Sequence, residues 1–436
     1  MDVKIKNELL LKGRLSEEGL FPHLADLAKC PIQFEPEIGL SDLPKAGGIL
    51  SIRGPRQIGK STWLEYQIQR TIQAFGPATA FYLNGDDIAD QESLKRRINE
   101  LISLFPKEAP VKRVFIDEIT SIPQWETALK RLYDEGESRE CLIVTTGSKA
   151  IDILRGVERL PGRKGKLPRT EFIFTQLPYR EFYDKCYPHF REDVIPAYIV
   201  CGGHPLAANE LVQTGKIPEY VVTMIRDWIL GECAAQDRSR NLMTWLAQSL
   251  IRYGGNPVSQ AKLAREVGAA NNSVIQGYIR VLMDLLCVTT ALQIDTNTRR
   301  PVPRKEHKYH WCNLLAMIAF HPQEIRSIED FKSLEKSESA KLLEWLVASE
   351  LWRQNAVSGN SAPELQFFWQ SKTHELDFFD PPHRFIEVKM GGANVTDFLW
   401  FNHQFSPQDR LQVVSSSHFE SSRIIGNTFE EFLLSK

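Results

Sequence analysis

The clearest chemistry in this chain lies in Gly54-Pro55-Arg56-Gln57-Ile58-Gly59-Lys60-Ser61, followed by Thr62. A glycine, four variable residues, a second glycine, a lysine and a hydroxyl make a loop whose backbone N–H groups can surround a phosphate chain. In that reading Lys60 reaches the β- and γ-phosphates and the Ser61 hydroxyl holds Mg²⁺, so the expected ligand is ATP with Mg²⁺. Further along, the apolar run Arg113-Val114-Phe115-Ile116 ends in Asp117-Glu118. A carboxylate at a strand tip suits Mg²⁺ held through water, and its neighbour can polarise the attacking water. Asp117 is therefore expected at the metal and Glu118 at the water.

These residues need elements to hold them. Gly48-Ile49-Leu50-Ser51-Ile52-Arg53 reads as a buried strand, and residues 61–75 carry Trp63, Leu64, Ile68 and Ile72 at helical spacing. Strand, loop and helix together put a helix N-terminus against the phosphates. A second strand is expected over residues 78–83, a charged helix over 91–105, and another strand over 141–148 with the polar tip Thr145-Thr146-Gly147-Ser148. That tip either positions the water and senses the γ-phosphate, or Ser148 simply caps the next helix. Strands alternating with helices imply a parallel sheet covered on both faces. The first forty-odd residues read as mixed helix and loop. Beyond the tip come Arg155, Arg159 and Arg163. One of them, Arg163 first, can serve as an arginine finger in its own subunit or a neighbour's; a solvated basic loop is the alternative.

Bulk properties narrow the partners. A net charge of −2 gives no overall attraction to nucleic acid or anionic membrane, so any DNA contact must come from a local patch. The seven cysteines are scattered without C-x-x-C pairs, which fits reduced thiols in the cytoplasm and argues against a disulfide framework or zinc site. No apolar run approaches the ~18 residues of a membrane span, and residues 1–6 lack the apolar core of a signal peptide. The expectation is a soluble, cytoplasmic protein with no membrane partner.

Taken in order, the motifs resemble a large group of prokaryotic ATPases of the AAA+ and related P-loop class, which pair a nucleotide-binding domain with a C-terminal domain. The resemblance rests on Gly54 to Thr62, Asp117-Glu118, the Thr145 to Ser148 tip and Pro161-Gly162-Arg163. Leu177-Pro178-Tyr179-Arg180-Glu181-Phe182 and Gly202-Gly203-His204-Pro205 extend it. One departure stands out. The group usually has an aspartate after an aromatic strand, where this chain reads Lys308-Tyr309-His310-Trp311-Cys312-Asn313. No role of that acid passes to Asn313.

The second half suggests two further modules. Helical periodicity at 197–200 and 220–233 suggests a small lid. Residues 258–268 and 272–282 read as two helices, followed by a basic stretch from Thr298 to Lys305. This resembles a winged helix, which would bind DNA through its second helix (Asn272, Gln276, Arg280) and its wing (Arg299, Arg300, Arg304, Lys305). A spacer or protein-contact module is the other reading. Then an amphipathic helix over 341–353 carries Glu344, and strand-like segments carry Asp377, Glu387 and Lys389. Glu387 and Lys389 are two apart in one strand and so share a face. The set resembles the PD-(D/E)xK nuclease fold. That resemblance implies Asp377 and Glu387 as Mg²⁺ ligands, Lys389 orienting water, and Glu344 as an added acid. Alternatively, the acids form a salt-bridge network with Lys389.

The expected architecture is α/β: a P-loop NTPase domain over residues 1–190, a helical lid and winged helix over 191–325, and an α/β nuclease-like domain over 326–436. The expected function is Mg²⁺-dependent ATP hydrolysis coupled to a nuclease-like domain acting on DNA, with self-association left open. The alternative is a nucleotide-gated switch or scaffold whose nuclease-like domain is inactive and binds DNA or protein.

Overall fold

Alternation within the strands of the first 175 residues decides their architecture. The computed structural model describes residues 1–136, 138–147, 167–302, 304–360 and 362–435. The chain forms two compact units, Met1–Thr175 with Ala356–Gly359, and Gln176–Asn355 with Asn360–Lys436.

In the first unit, β1 (Gly48–Arg53), β2 (Ala80–Asn84), β3 (Arg113–Asp117), β4 (Leu142–Gly147) and β5 (Glu171–Ile173) form a parallel sheet in the order β2-β3-β4-β1-β5. Side chains alternate between two faces. Ile49, Phe81, Leu83, Val114, Ile116 and Ile143 pack in one core with Leu94, Ile98, Leu129 and Leu132 from α4 (Gln91–Leu104) and α5 (Trp125–Asp134). Leu50, Ile52, Phe115, Leu142 and Val144 face the other way. They meet Trp63, Leu64, Ile68 and Ile72 of α3 (Lys60–Phe75). Both faces are buried, which is why these strands read as near-continuous apolar runs.

The N-terminal residues protect the edge of this sheet. β2 is an edge strand, and α1 (Val3–Leu11), which precedes the short helix α2 (Pro22–Leu27), places Asn7 beside it. The Asn7 carboxamide donates to Tyr82 O and accepts from Tyr82 N, each at 2.8 Å. One side chain thus pairs both groups of a backbone that would otherwise invite another strand.

The second unit begins with helices, among them Tyr179–Phe190, Val194–Cys201, Glu219–Ala234 and Arg240–Arg252. The short helix Gln260–Glu266 and the helix Asn272–Asp284 follow, then the antiparallel strands β6 (Val288–Gln293) and β7 (Lys308–Trp311). Val258 bridges His307, the residue before β7. β6 also pairs in parallel with β8 (Leu365–Gln370), which with β9 (Glu375–Leu376) completes a sheet β7-β6-β8-β9. The helix carrying Glu344 runs from Lys336 to Ser358, longer than its apolar spacing indicated.

The strand-like segment that carries Asp377 is interrupted at that residue. β9 (Glu375–Leu376) pairs with β8, whereas β10 (Phe378–Asp380) pairs with β11 (Arg384–Val388) in a second sheet, β10-β11-β12-β14-β13. Here β12 is Arg410–Ser415, β13 is Phe419–Glu420 and β14 is Ile424–Thr428. Asp377 is the residue at which the chain passes from one sheet to the other. Asn313, in place of the group's aspartate, caps the helix Leu314–Phe320 by accepting from Ala316 N at 3.0 Å.

Candidate functional site

The sheet order puts β4 between β3 and β1, so the C-terminal ends of all three strands share one edge. In open parallel sheets this edge is where ligands bind. The loop after β1 turns into α3 through Gly59, whose φ of 104° is a left-handed conformation that glycine adopts without strain. Among the described residues no side-chain cap is made at the N-terminus of α3, and N–H groups in the first turn of such a helix can meet an anionic ligand.

Lys60 is buried, and its ammonium donates to Gly54 O at 3.0 Å and Pro55 O at 2.6 Å. Burial lowers its pKa from the ordinary 10.5 to about 8, although nearby Glu118 and Asp117 favour the charged form. Asp117 is buried at the end of β3. Its Oδ1 accepts from the Thr146 hydroxyl and, at 3.2 Å, from Glu118 N. Glu118 is half-buried at φ 48°, an uncommon conformation for a residue with a side chain and one concentrated at functional sites. Ser61 and Asp117 supply a hydroxyl and a carboxylate, hard oxygen donors of the kind Mg²⁺ takes, so this site fits Mg²⁺ with a polyphosphate.

A second cluster lies in the other unit and contains a residue that the sequence reading passed over. Lys308, on β7, has no solvent exposure. Its ammonium pairs with Glu375, lies 3.1 Å from Asp377 Oδ1 and 3.6 Å from Glu344 Oε1. Two residues along, His310 Nε2 lies 3.4 Å from the same Glu344 oxygen, at ion-pair rather than hydrogen-bond geometry. Gly255 leaves room for the Glu344 carboxylate, because a Cβ there would lie 2.8 Å from Glu344 Oε2. Asp377 Oδ2 accepts from Val388 N at 2.9 Å, Glu387 Oε2 accepts from Asp377 N at 3.3 Å, and Lys389 pairs with Glu387. Glu344, Asp377, Glu387 and Lys389 are therefore brought together, with a second lysine, Lys308, among the acids.

Charge follows contact in this cluster. Burial by itself would lower the pKa of Lys308, but Glu344, Asp377 and Glu375 hold its ammonium well above the usual range. Burial would likewise raise Glu344, yet Lys308 and His310 hold it down at about 2. Glu387 is pushed up to about 8 by burial and by Asp377, against the pull of Lys389.

The expected basic wing divides in two. Arg300, Arg304 and Lys305 are exposed, as are Asn272, Gln276 and Arg280 on one face of their helix. Arg280 pairs with Asp284 at 3.0 Å. Arg299 is not part of an open wing. Its guanidinium lies 2.5 Å from fully buried Asp409 and within 5.8 Å of the ring centres of Phe379, Phe385 and Phe405. A buried carboxylate without a cation is costly, and this arginine supplies it. Ser148, Arg155, Arg159 and Arg163 lie outside the described residues.

Comparison with known proteins bears on the first site. Residues 46–183 match a family described as an AAA domain. The match contains the phosphate loop and Asp117-Glu118, and supports nucleotide binding and ATP hydrolysis by the first unit. A search of curated proteins found no match. Among solved structures, the chain is similar to a Walker-type ATPase of Pyrococcus abyssi, at 13% identity over 62% of this chain and 90% of that one, with a TM-score of 0.42. It is also similar to the Aeropyrum pernix Orc1 protein in complex with DNA (15% identity, 72% and 91% covered, TM-score 0.32). Thermotoga maritima RuvB is another such structure (13%, 69% and 91%, 0.30). At these values the likenesses say nothing of substrate or partner. Among the described residues no helix is long and apolar enough to cross a membrane.

One bond of the first site and one residue of the second cluster were not foreseen from the sequence. Thr146 was visible only as part of a polar strand tip, and its bond to Asp117 follows from β4 lying next to β3. Lys308 had one signal: a lysine opening the apolar run Lys308-Tyr309-His310-Trp311, where a strand buried on both faces has no place for an unpaired charge.

Proposed function

We propose that the chain binds ATP at Gly54 to Thr62 and hydrolyses it at the C-terminal edge of the first sheet. The observation that carries this is the convergence of three strand ends, which brings Lys60, Asp117-Glu118 and Thr146 to one edge. Lys60 and the N–H groups of α3 hold the phosphates, with Arg56, Gln57 and Ile58 forming the loop. Ser61 and Asp117 would hold Mg²⁺, which neutralises charge on the phosphate oxygens. Thr146 orients the Asp117 carboxylate. Glu118 takes a proton from the attacking water. Arg163 is assigned as the finger that meets charge on the γ-phosphate.

Nucleotide state then acts on the second unit, which we read as a winged helix joined to a nuclease-like fold that contacts DNA. The paired helices 260–266 and 272–284, followed by the β6–β7 hairpin, support this reading, with Asn272, Gln276, Arg280, Arg300, Arg304 and Lys305 exposed. Glu344, Asp377, Glu387 and Lys389 are its nuclease-like residues. A second reading, in which this cluster binds without cutting, is favoured by one observation: the ammonium of Lys308 among the acids.

The decisive experiment is steady-state ATP hydrolysis by Glu118→Gln beside nucleotide binding by the same variant. The expected result is retained binding with kcat lowered by about 10²–10⁴-fold. Wild-type turnover in Glu118→Gln would remove Glu118 from the assignment. Loss of ATP binding in Lys60→Ala is expected in parallel.

A further inference from the structure

A PD-(D/E)xK-like arrangement implies a divalent cation between Asp377 and Glu387, and the residues present can be tested for that fit. Mg²⁺ asks for near-octahedral oxygen ligands with free lone pairs, most of them from carboxylates and water. At Asp377, Oδ1 faces the Lys308 ammonium and Oδ2 accepts from Val388 N. At Glu387, Lys389 faces Oε1 and the Asp377 N–H points at Oε2. Every oxygen of the two would-be ligands is thus turned toward a nitrogen donor. Glu344, the added acid, has Lys308 and His310 on one oxygen. Among the described residues no group of three or more His, Cys, Asp and Glu side chains is arranged to hold a metal ion.

Lys308 is also not a surface lysine folded in by chance. Its side chain is fully buried, its backbone is paired with Ala291 in the β6–β7 ladder, and its ammonium lies 5.4 Å from the centre of the Phe368 ring. Withdrawing it would leave Glu375, Asp377 and Glu344 without their shared cation, and like charges so close repel strongly. A divalent ion beside Asp377 would stand against that ammonium. The residues do not fit the metal.

We propose that Lys308 is the resident cation of this cluster, and that the nuclease-like fold takes no divalent metal at Asp377 and Glu387. The consequence is chemical. Without the ion the cluster has no metal-bound hydroxide to deliver, and the Lys389 ammonium is already paired with Glu387, so the fold is kept for binding and for joining its two sheets. The inference rests on the nuclease-like reading of the second unit, and not on the ATPase assignment.

The test is Mn²⁺ binding to the nucleotide-free chain of residues 1–436, followed by electron paramagnetic resonance. Wild type and Asp377→Asn should bind the same number of ions. Lys308→Met should gain one site, and the double variant Lys308→Met with Asp377→Asn should lose it again. An ion bound by wild type and lost in both Asp377→Asn and Glu387→Gln would overturn the proposal. A failure of Lys308→Met to fold leaves the comparison of wild type with the two carboxylate variants to decide. No nucleotide is added, so an error in the Glu118 assignment leaves these results unchanged. A folded Lys308→Met that binds no additional ion would also overturn it, because removing the resident cation should free the acids.

Discussion

The ammonium of Lys308 stands 3.1 Å from the carboxylate of Asp377, a residue 69 positions away in sequence, with no water access to the lysine. Lys60 is buried as well, but its hydrogen-bond partners are the neutral carbonyls of Gly54 and Pro55. The two lysines have opposite electrostatics for this reason. Lys308 is locked as a cation by acids within its own unit, whereas Lys60 carries a charge that only an anionic ligand would fully match.

Lys60 therefore links ATP affinity to pH. Its folded-state pKa of about 8 is below the ordinary 10.5. The stability that this group contributes is present above pH 10.5 and is lost as pH falls through about 8, on the order of 3 kcal/mol at most. Phosphate binding favours the ammonium, so above pH 8 ATP binding should be accompanied by proton uptake at Lys60, and affinity should fall by up to about tenfold for each pH unit of increase. Calorimetry at pH 7 and pH 9, in buffers of different ionisation enthalpy, measures both effects. Equal affinity and no proton uptake at pH 9 would mean that Lys60 does not titrate against the phosphates.

Removing Lys308 should be costly. Lys308→Met leaves buried acids without their cation, and loss of one partner of a buried pair destabilises by about 3–5 kcal/mol. Urea unfolding measures this. Adding Asp377→Asn to the variant should recover part of the loss, since one uncompensated charge disappears. A Lys308→Met protein as stable as wild type would show that the acids are neutral in the folded chain.

Asn7 should matter to the first unit far more than an exposed asparagine would. Asn7→Ala strips both partners from Tyr82 at the sheet edge, at a cost of about 1–3 kcal/mol. The loss should appear as a lower denaturant midpoint and faster amide exchange at Tyr82. Unchanged exchange at that residue would show that water replaces the carboxamide without cost.

The four basic residues from Arg299 to Lys305 should separate into two classes. Arg300→Ala or Arg304→Ala should leave stability unchanged and reduce the salt dependence of DNA binding by about one unit of slope each. Arg299→Ala should instead destabilise the second unit, because it strands the buried Asp409 carboxylate. Thermal melts and DNA titrations over a salt series distinguish these outcomes. If Arg299→Ala only weakened DNA binding, Asp409 would have to be satisfied by His383 and Ser406 alone, which also contact it.

Local patterns in the sequence determined the phosphate loop, the strands that alternate between two cores, and the helices whose apolar residues recur every three or four positions. Gly54 to Thr62 and Asp117-Glu118 are legible because loop, strand tip and helix start are neighbours in sequence, and each obeys a short-range rule. Tertiary structure alone decided that Thr146 bonds Asp117, that Arg299 serves Asp409 rather than a wing, and that Lys308 lies among the acids. Those partners are 29, 110 and 69 residues apart in sequence. Their meeting depends on which strands lie side by side: β4 beside β3, β6 beside β8, and a chain that changes sheets at Asp377. Strand order is a long-range choice that side-chain period does not encode, so the sequence could supply the acids of the second cluster without revealing the cation among them.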